Sequence, residues 1–150
     1  MATDQDKFLN STEPLAFYGL SRKGKGFAYD VLKAVRGFQP NASITALHPT
    51  ADELPAANLP VARSAKDISP PPARAIAVLA SKDAGTALTD AAAAGIKLVW
   101  LVMNACSKEN RELARNLGME VVDGCPMLFM PGQAFPHNFH RWLAKLFRKI

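Results

Sequence analysis

The stretch Leu15-Ala16-Phe17-Tyr18-Gly19-Leu20-Ser21-Arg22-Lys23-Gly24-Lys25-Gly26 decides how the rest of the chain is read. An apolar run from Leu15 to Leu20 breaks there into glycines, a serine and three cations. An apolar strand, a tight glycine turn and a helix whose first amides are unpaired form a ready anion site, and the phosphates of a nucleotide fit it. The helix is expected just beyond, where Phe27, Val31, Leu32 and Val35 recur at helical spacing with Ala28 and Ala34 beside them. Gly37 is the expected end of that helix.

Outward from this unit the pattern repeats. A polar lead-in with a helical turn near Phe8 and Leu9 precedes it, and Ser43-Ile44-Thr45-Ala46-Leu47 follows as a second strand, stopped by His48-Pro49. The stretch to Pro72 is loop-rich, with a short helix expected at Ser64-Ala65-Lys66-Asp67 from its capping-box-like spacing. Ala75 to Ala80 is apolar throughout, as a strand covered by helices on both faces should be. Asp83 to Ala94 is alanine-rich and helical, stopped by Gly95, and Lys97 to Met103 is the fourth and most apolar strand. Ser107 caps a further helix that ends at Gly118, and Glu120-Val121-Val122 closes the series.

Strand and helix alternating with short connections predict an α/β fold, three layers deep, around a doubly wound parallel five-stranded sheet of order 3-2-1-4-5. Ligands of such sheets sit beyond the carboxyl ends of the strands where the order reverses. That rule puts Gly19 to Gly26, His48, Ser81, Met103-Asn104 and Asp123-Gly124-Cys125 along one rim. Asn104 and Asp123 either line the pocket or pin loops.

Three phosphate motifs compete for the glycine loop. The dinucleotide fingerprint needs a second glycine where this chain has Ser21, which crowds the pyrophosphate while adding a hydroxyl donor. Gly19 to Lys25 fits the start of a P-loop, but Gly26 replaces the hydroxyl residue that would hold magnesium. The third reading is a ligand with an additional phosphate and no acidic grip on its ribose. Arg22, Lys23, Lys25 and a protonated His48 favour coenzyme A, with NADP second. The bland alternative makes the three cations a solvated loop.

With 150 residues and 49% hydrophobic content, the chain has enough apolar surface for the core of one domain. Its net charge of +5 suits an anionic partner, but no arginine-aromatic or zinc-finger spacing points to nucleic acid, and none is expected to bind. The start, Met1 to Lys7, is polar and partly acidic, unlike a secretory signal, and no apolar run approaches the ~18 residues of a membrane span. Cys106 and Cys125 lack metal or redox spacing and fit a reducing compartment, so cytoplasm is the expected address. Cys106 also precedes a helix start, where a thiolate would be favoured, although inert, partly buried thiols are the plainer reading.

Several stretches, taken in order, resemble the small bacterial CoA-binding domain proteins, similar in fold to the nucleotide domain of the succinyl-CoA synthetase alpha subunit. They are Gly19-Leu20-Ser21, His48-Pro49, Gly95 to Leu101, Glu109-Asn110 with Leu113-Ala114-Arg115, and Val121-Val122-Asp123-Gly124-Cys125-Pro126. The likeness spans about Leu15 to Pro131. It implies a Rossmann-like domain that binds coenzyme A or an acyl-CoA; with no convincing nucleophile or proton-transfer pair near the pocket, the expected role is non-catalytic, as a regulator or acyl carrier. It also implies that Gly19, Ser21, Arg22 and Lys23 cradle phosphates, with Leu20 and Lys25 in the same loop, while His48 and Pro49 flank the adenosine. Ser81 and Asn104 complete the candidate binding residues. Val102-Met103-Asn104-Ala105 stands where the family commonly has Gln and Gly.

The alternatives are an NAD(P)-binding sensor or oxidoreductase, and a membrane-surface or partner-docking module. The last rests on residues 136–150, set apart from the domain at 1–135, where Phe139, Trp142, Leu143, Leu146 and Phe147 recur at helical spacing beside a basic face. That helix docks on the sheet, on a second copy in a homodimer, or on a membrane. No catalytic or metal-ligating set emerges; His137 and His140 would need ligands from elsewhere.

Overall fold

Parallel strands fill the middle of the computed structural model, which describes residues 4–124 and 126. The elements run α1 (Asp4–Leu9), β1 (Leu15–Tyr18), α2 (Phe27–Phe38), β2 (Ile44–Leu47), β3 (Val61–Ala62), β4 (Arg74–Ala77), α3 (Ser81–Ala93), β5 (Leu98–Leu101), α4 (Lys108–Asn116) and β6 (Glu120–Val122). Short 3-10 turns lie at Ala65–Asp67 and Met103–Ala105. The candidate helix at 136–150 falls outside the described residues.

The sheet order is β3-β2-β1-β4-β5-β6, with every pairing parallel. The doubly wound order is therefore present and one strand longer than the sequence suggests. Its third place belongs to Val61–Ala62, within the stretch read as loop, and the segment expected third, near Ala75–Ala80, is the fourth strand, beside β1. Two residues behind Pro60 carry no periodicity, and only the partner strand reveals them as a strand: Ala46 N donates to Pro60 O and His48 N to Ala62 O. A second difference lies in α2, which runs through Gly37 and ends beyond Phe38, where Gln39 N still donates to Val35 O.

Alternation along the strands builds two cores. Leu15 and Phe17 of β1, Ile44 and Ala46 of β2, Ile76 of β4 and Trp100 of β5 face α1 and α2, where Phe8, Val31, Leu32 and Val35 are buried against them. Ala16, Ala75, Ala77, Val99 and Leu101 point the other way, toward α3 and α4. The alanines on this face and Ala84, Ala87 and Ala91 of α3 are all small, so the helix lies close to the sheet. Helix caps follow the sequence signals: Asn110 N donates to Ser107 Oγ at 3.1 Å at the start of α4, and Gly95 (φ 86°) and Gly118 (φ 85°) provide left-handed stops.

At the amino end of the sheet, Arg74 is only 1% exposed. Its Nη1 donates to Phe8 O at 2.8 Å and to Gln39 Oε1 at 3.1 Å, and its Nε donates to Glu13 O at 3.0 Å. The guanidinium also lies 5.3 Å from the centre of the Phe8 ring. Burial pushes its pKa down to about 10, with Glu13 opposing. A single charge thus ties α1, the turn before β1 and the end of α2 to β4.

Candidate functional site

Gly19 marks where the chain turns off the sheet. Its φ is +117°, and a Cβ there would lie 2.0 Å from the carbonyl oxygen of Val78. The backbone leaving β1 is therefore pressed against the backbone leaving β4, with Val78 N donating to Tyr18 O at 3.0 Å. β1 has β2 on one side and β4 on the other, so this is the reversal point of the strand order. Only glycine combines that dihedral with that proximity.

A cleft of about 530 Å³ opens over this turn, a size typical of small-molecule sites. Gly19, Leu20 and Ser21 form one part of its lining, His48 and Pro49 the next, and Arg63 follows. Each group sits just past the carboxyl end of β1, β2 or β3, and the parallel register sets them side by side: Tyr18 pairs with Leu47, and Leu47 with Ala62. Helix α3 supplies the opposite wall through Asp83, Thr86, Ala87 and Asp90, and Leu47 and Leu79 add apolar surface.

His48 is half-buried and oriented by its own loop. Its Nδ1 accepts from Ala51 N at 2.9 Å and Thr50 N at 3.1 Å. Burial, and then the charge of Arg22, lower its pKa. The imidazole is therefore held neutral with its proton on Nε2, a tautomer assigned from its hydrogen bonds. This differs from the protonated His48 considered on sequence grounds. Two amides already occupy the nitrogen that a second proton would need.

Asp90 closes the α3 side. Its Oδ1 accepts from Ser64 Oγ at 2.7 Å, and its Oδ2 from Tyr18 Oη at 2.7 Å and Ala65 N at 3.0 Å. Burial first, and then Asp90, raise the Tyr18 pKa, so the phenol stays protonated. The carboxylate thus joins β1, the 3-10 turn after β3 and α3 into one rigid wall. The short helical turn expected at Ser64–Asp67 is present, and Ser64 both caps it and serves Asp90.

The structure divides the candidate residues into two groups. Gly19, Leu20, Ser21, His48 and Pro49 line the cleft. Arg22 instead donates through Nη2 to Thr50 Oγ1 at 2.8 Å and lines a shallower depression with Asp52 and Glu53. Lys23 and Lys25 are exposed and line neither. The start of α2 lies beyond Gly26, also outside the lining. Ser81 begins α3, where its carbonyl accepts from Asn110 Nδ2 at 3.0 Å, and Asn104 is exposed in the turn after β5; neither lines the cleft.

The lining residues not singled out in the sequence include Tyr18, Arg63 and Asp90. Arg63 was hidden because its strand was hidden. Asp90 left a faint signal, since Asp83, Ala87 and Asp90 fall on one side of an alanine-rich helix whose buried stripe runs through Ala84, Ala87 and Ala91. Cys106 is half-buried, and burial, followed by Asp123, raises its pKa, against the opposing charges of Arg111 and Arg115. It is held as a thiol rather than the thiolate that its place before a helix suggested. Cys125 lies outside the described residues.

Bare backbone with a serine hydroxyl, a neutral imidazole, one guanidinium and apolar patches suit a ligand with anionic and apolar parts. The model of the CoA binding domain family matches residues 14–131. Among solved structures, a protein redesigned for binding is 20% identical over 91% of this chain and 98% of its own, with a TM-score of 0.72. A hypothetical protein from Pyrococcus horikoshii OT3 is 22% identical over 85% of this chain and 89% of its own, at a TM-score of 0.70. The apo form of a dinucleotide-forming acetyl-coenzyme A synthetase from Ca. Korarchaeum cryptofilum is 23% identical over 78% of this chain but only 27% of its own, at a TM-score of 0.63. At these identities the structural likenesses establish the fold alone. No curated protein matches the chain.

Proposed function

Since the chain belongs to the CoA binding domain family through residues 14–131, we propose that it binds coenzyme A or an acyl-CoA in the cleft above Gly19 and leaves the ligand chemically unchanged. The observation that carries this reading is the position of the cleft. It lies over the bare backbone of Gly19–Ser21 at the reversal of the strand order and continues past His48 and Pro49. Pyrophosphate oxygens take the backbone and hydroxyl donors of the glycine turn, and the adenosine lies along His48-Pro49, with the imidazole Nε2–H as a further donor. The apolar surface of Leu79 and Ala87 offers room for an uncharged part of the ligand.

A ribose-phosphorylated nicotinamide cofactor is the second reading, and Arg63 favours it as much as it favours CoA. Thermal unfolding with CoA, acetyl-CoA, NAD and NADP separates the two. A ligand present at 100 times its dissociation constant adds about 2.7 kcal/mol, which raises the midpoint of a chain this long by roughly 5 to 10 °C. That rise is expected with CoA and acetyl-CoA, and a rise with NADP alone would reverse the ranking.

A further inference from the structure

Among the described residues, Arg63 is the only lysine or arginine that lines the cleft. It is not idle there: its Nη2 lies 2.8 Å from Asp52 Oδ1. The two side chains are 61% and 86% exposed, and Asp52 belongs to the shallow depression next door, so the pair spans the lip between the two. An ion pair this exposed is screened by water and contributes little to stability, so either partner is easily exchanged.

Resting on the proposed CoA-type ligand, we infer that Arg63 is the specificity-determining residue of the cleft, taking the phosphate monoester carried on a ribose in exchange for Asp52. The strand register supplies the spacing. Gly19, His48 and Arg63 follow three adjacent strand ends, which puts the first and last roughly 10 Å apart at the usual strand separation. A nucleotide whose pyrophosphate rests on Gly19–Ser21 and whose sugar lies along His48-Pro49 carries its ribose phosphate toward Arg63.

Charge favours the exchange. A phosphate monoester bears close to two negative charges near neutral pH and presents three acceptor oxygens, against the single charge of Asp52. The planar guanidinium matches such a group with two parallel hydrogen bonds. The α3 wall offers it no cation: Asp83 and Asp90 place carboxyl groups there, and the oxygens of Asp90 already accept from Tyr18, Ser64 and Ala65. Arg22 faces Thr50 outside the lining, so Arg63 is the cleft's fixed positive charge.

Isothermal titration with two ligand pairs tests this: CoA against 3′-dephospho-CoA, and NADP against NAD. The wild-type chain is expected to prefer CoA over dephospho-CoA by about tenfold or more, the range of charge-assisted phosphate contacts. Arg63→Gln should shrink that preference to about twofold or less while dephospho-CoA binding holds, and Asp52→Asn should tighten CoA alone by about two- to fivefold. Circular dichroism melts confirm that the variants fold. A preference undiminished in Arg63→Gln overturns the assignment of Arg63 and leaves CoA binding standing. A preference confined to NADP over NAD and removed by Arg63→Gln upholds Arg63 and overturns the CoA reading. Failure of the wild-type chain to bind any of the four overturns both.

Discussion

Arg63 and Arg74 stand at opposite ends of the parallel strands and solve opposite problems. Arg63, past the carboxyl end of β3, is 61% exposed in its side chain and paired with an exposed carboxylate. Arg74, at the amino end of β4, is 1% exposed, and its guanidinium hydrogen bonds go to two carbonyls and a side-chain amide, with no carboxylate among these acceptors. Water screens the first, so its partner can be exchanged. The second has been stripped of water, so each bond it makes replaces a hydration contact that cannot be recovered. The amino end of the sheet is built to hold and the carboxyl end to receive.

The contrast breaks most sharply under truncation. Arg74→Ala should lower stability by about 4 kcal/mol, since it strips the hydrogen bonds of a buried charge and leaves the carbonyls of Phe8 and Glu13 short of a donor. Arg63→Gln should change stability by no more than about 0.5 kcal/mol, as surface substitutions do. Urea unfolding of the two variants measures both, and equal losses would erase the distinction between the two ends of the sheet.

Gly19→Ala sharpens the same contrast from the receiving side. A Cβ at 2.0 Å from the Val78 oxygen, at a φ of +117°, forces β1 and β4 apart where they leave the sheet. The expected cost is about 3 kcal/mol from overpacking and backbone strain, read by the same unfolding curves. A smaller effect follows from Asp90→Ala, which takes the acceptor from Tyr18, Ser64 and Ala65. It should cost about 2 kcal/mol, and the freed Tyr18 phenol should titrate at lower pH in an ultraviolet absorbance titration. An unchanged phenol titration would show that burial alone holds that group.

What the sequence discloses about the site follows chain geometry. Residues at the ends of β1 and β2 line the cleft because a doubly wound sheet must bring those ends together, and Gly19, Leu20, Ser21, His48 and Pro49 are legible on that ground. The cations Arg22, Lys23 and Lys25 are next in sequence but not in the lining, because a loop of this length turns its long side chains by local contacts such as Arg22 with Thr50. His48 shows the same limit. Its identity is plain in the sequence, but its neutral state depends on two loop amides that its fold presents to Nδ1.

By itself, then, the sequence determined the layers: apolar runs of strand length, helical stripes and glycine stops each act over a few residues, and their alternation leaves one class of fold. Tertiary structure alone decided that Val61–Ala62 is a strand, that Arg74 is a buried clamp and that Arg63 and Asp90 meet in one cleft. Those outcomes depend on partners far along the chain, which no local pattern encodes. A two-residue strand exists only through its neighbour's hydrogen bonds, and a charge takes its character from the water it keeps or loses.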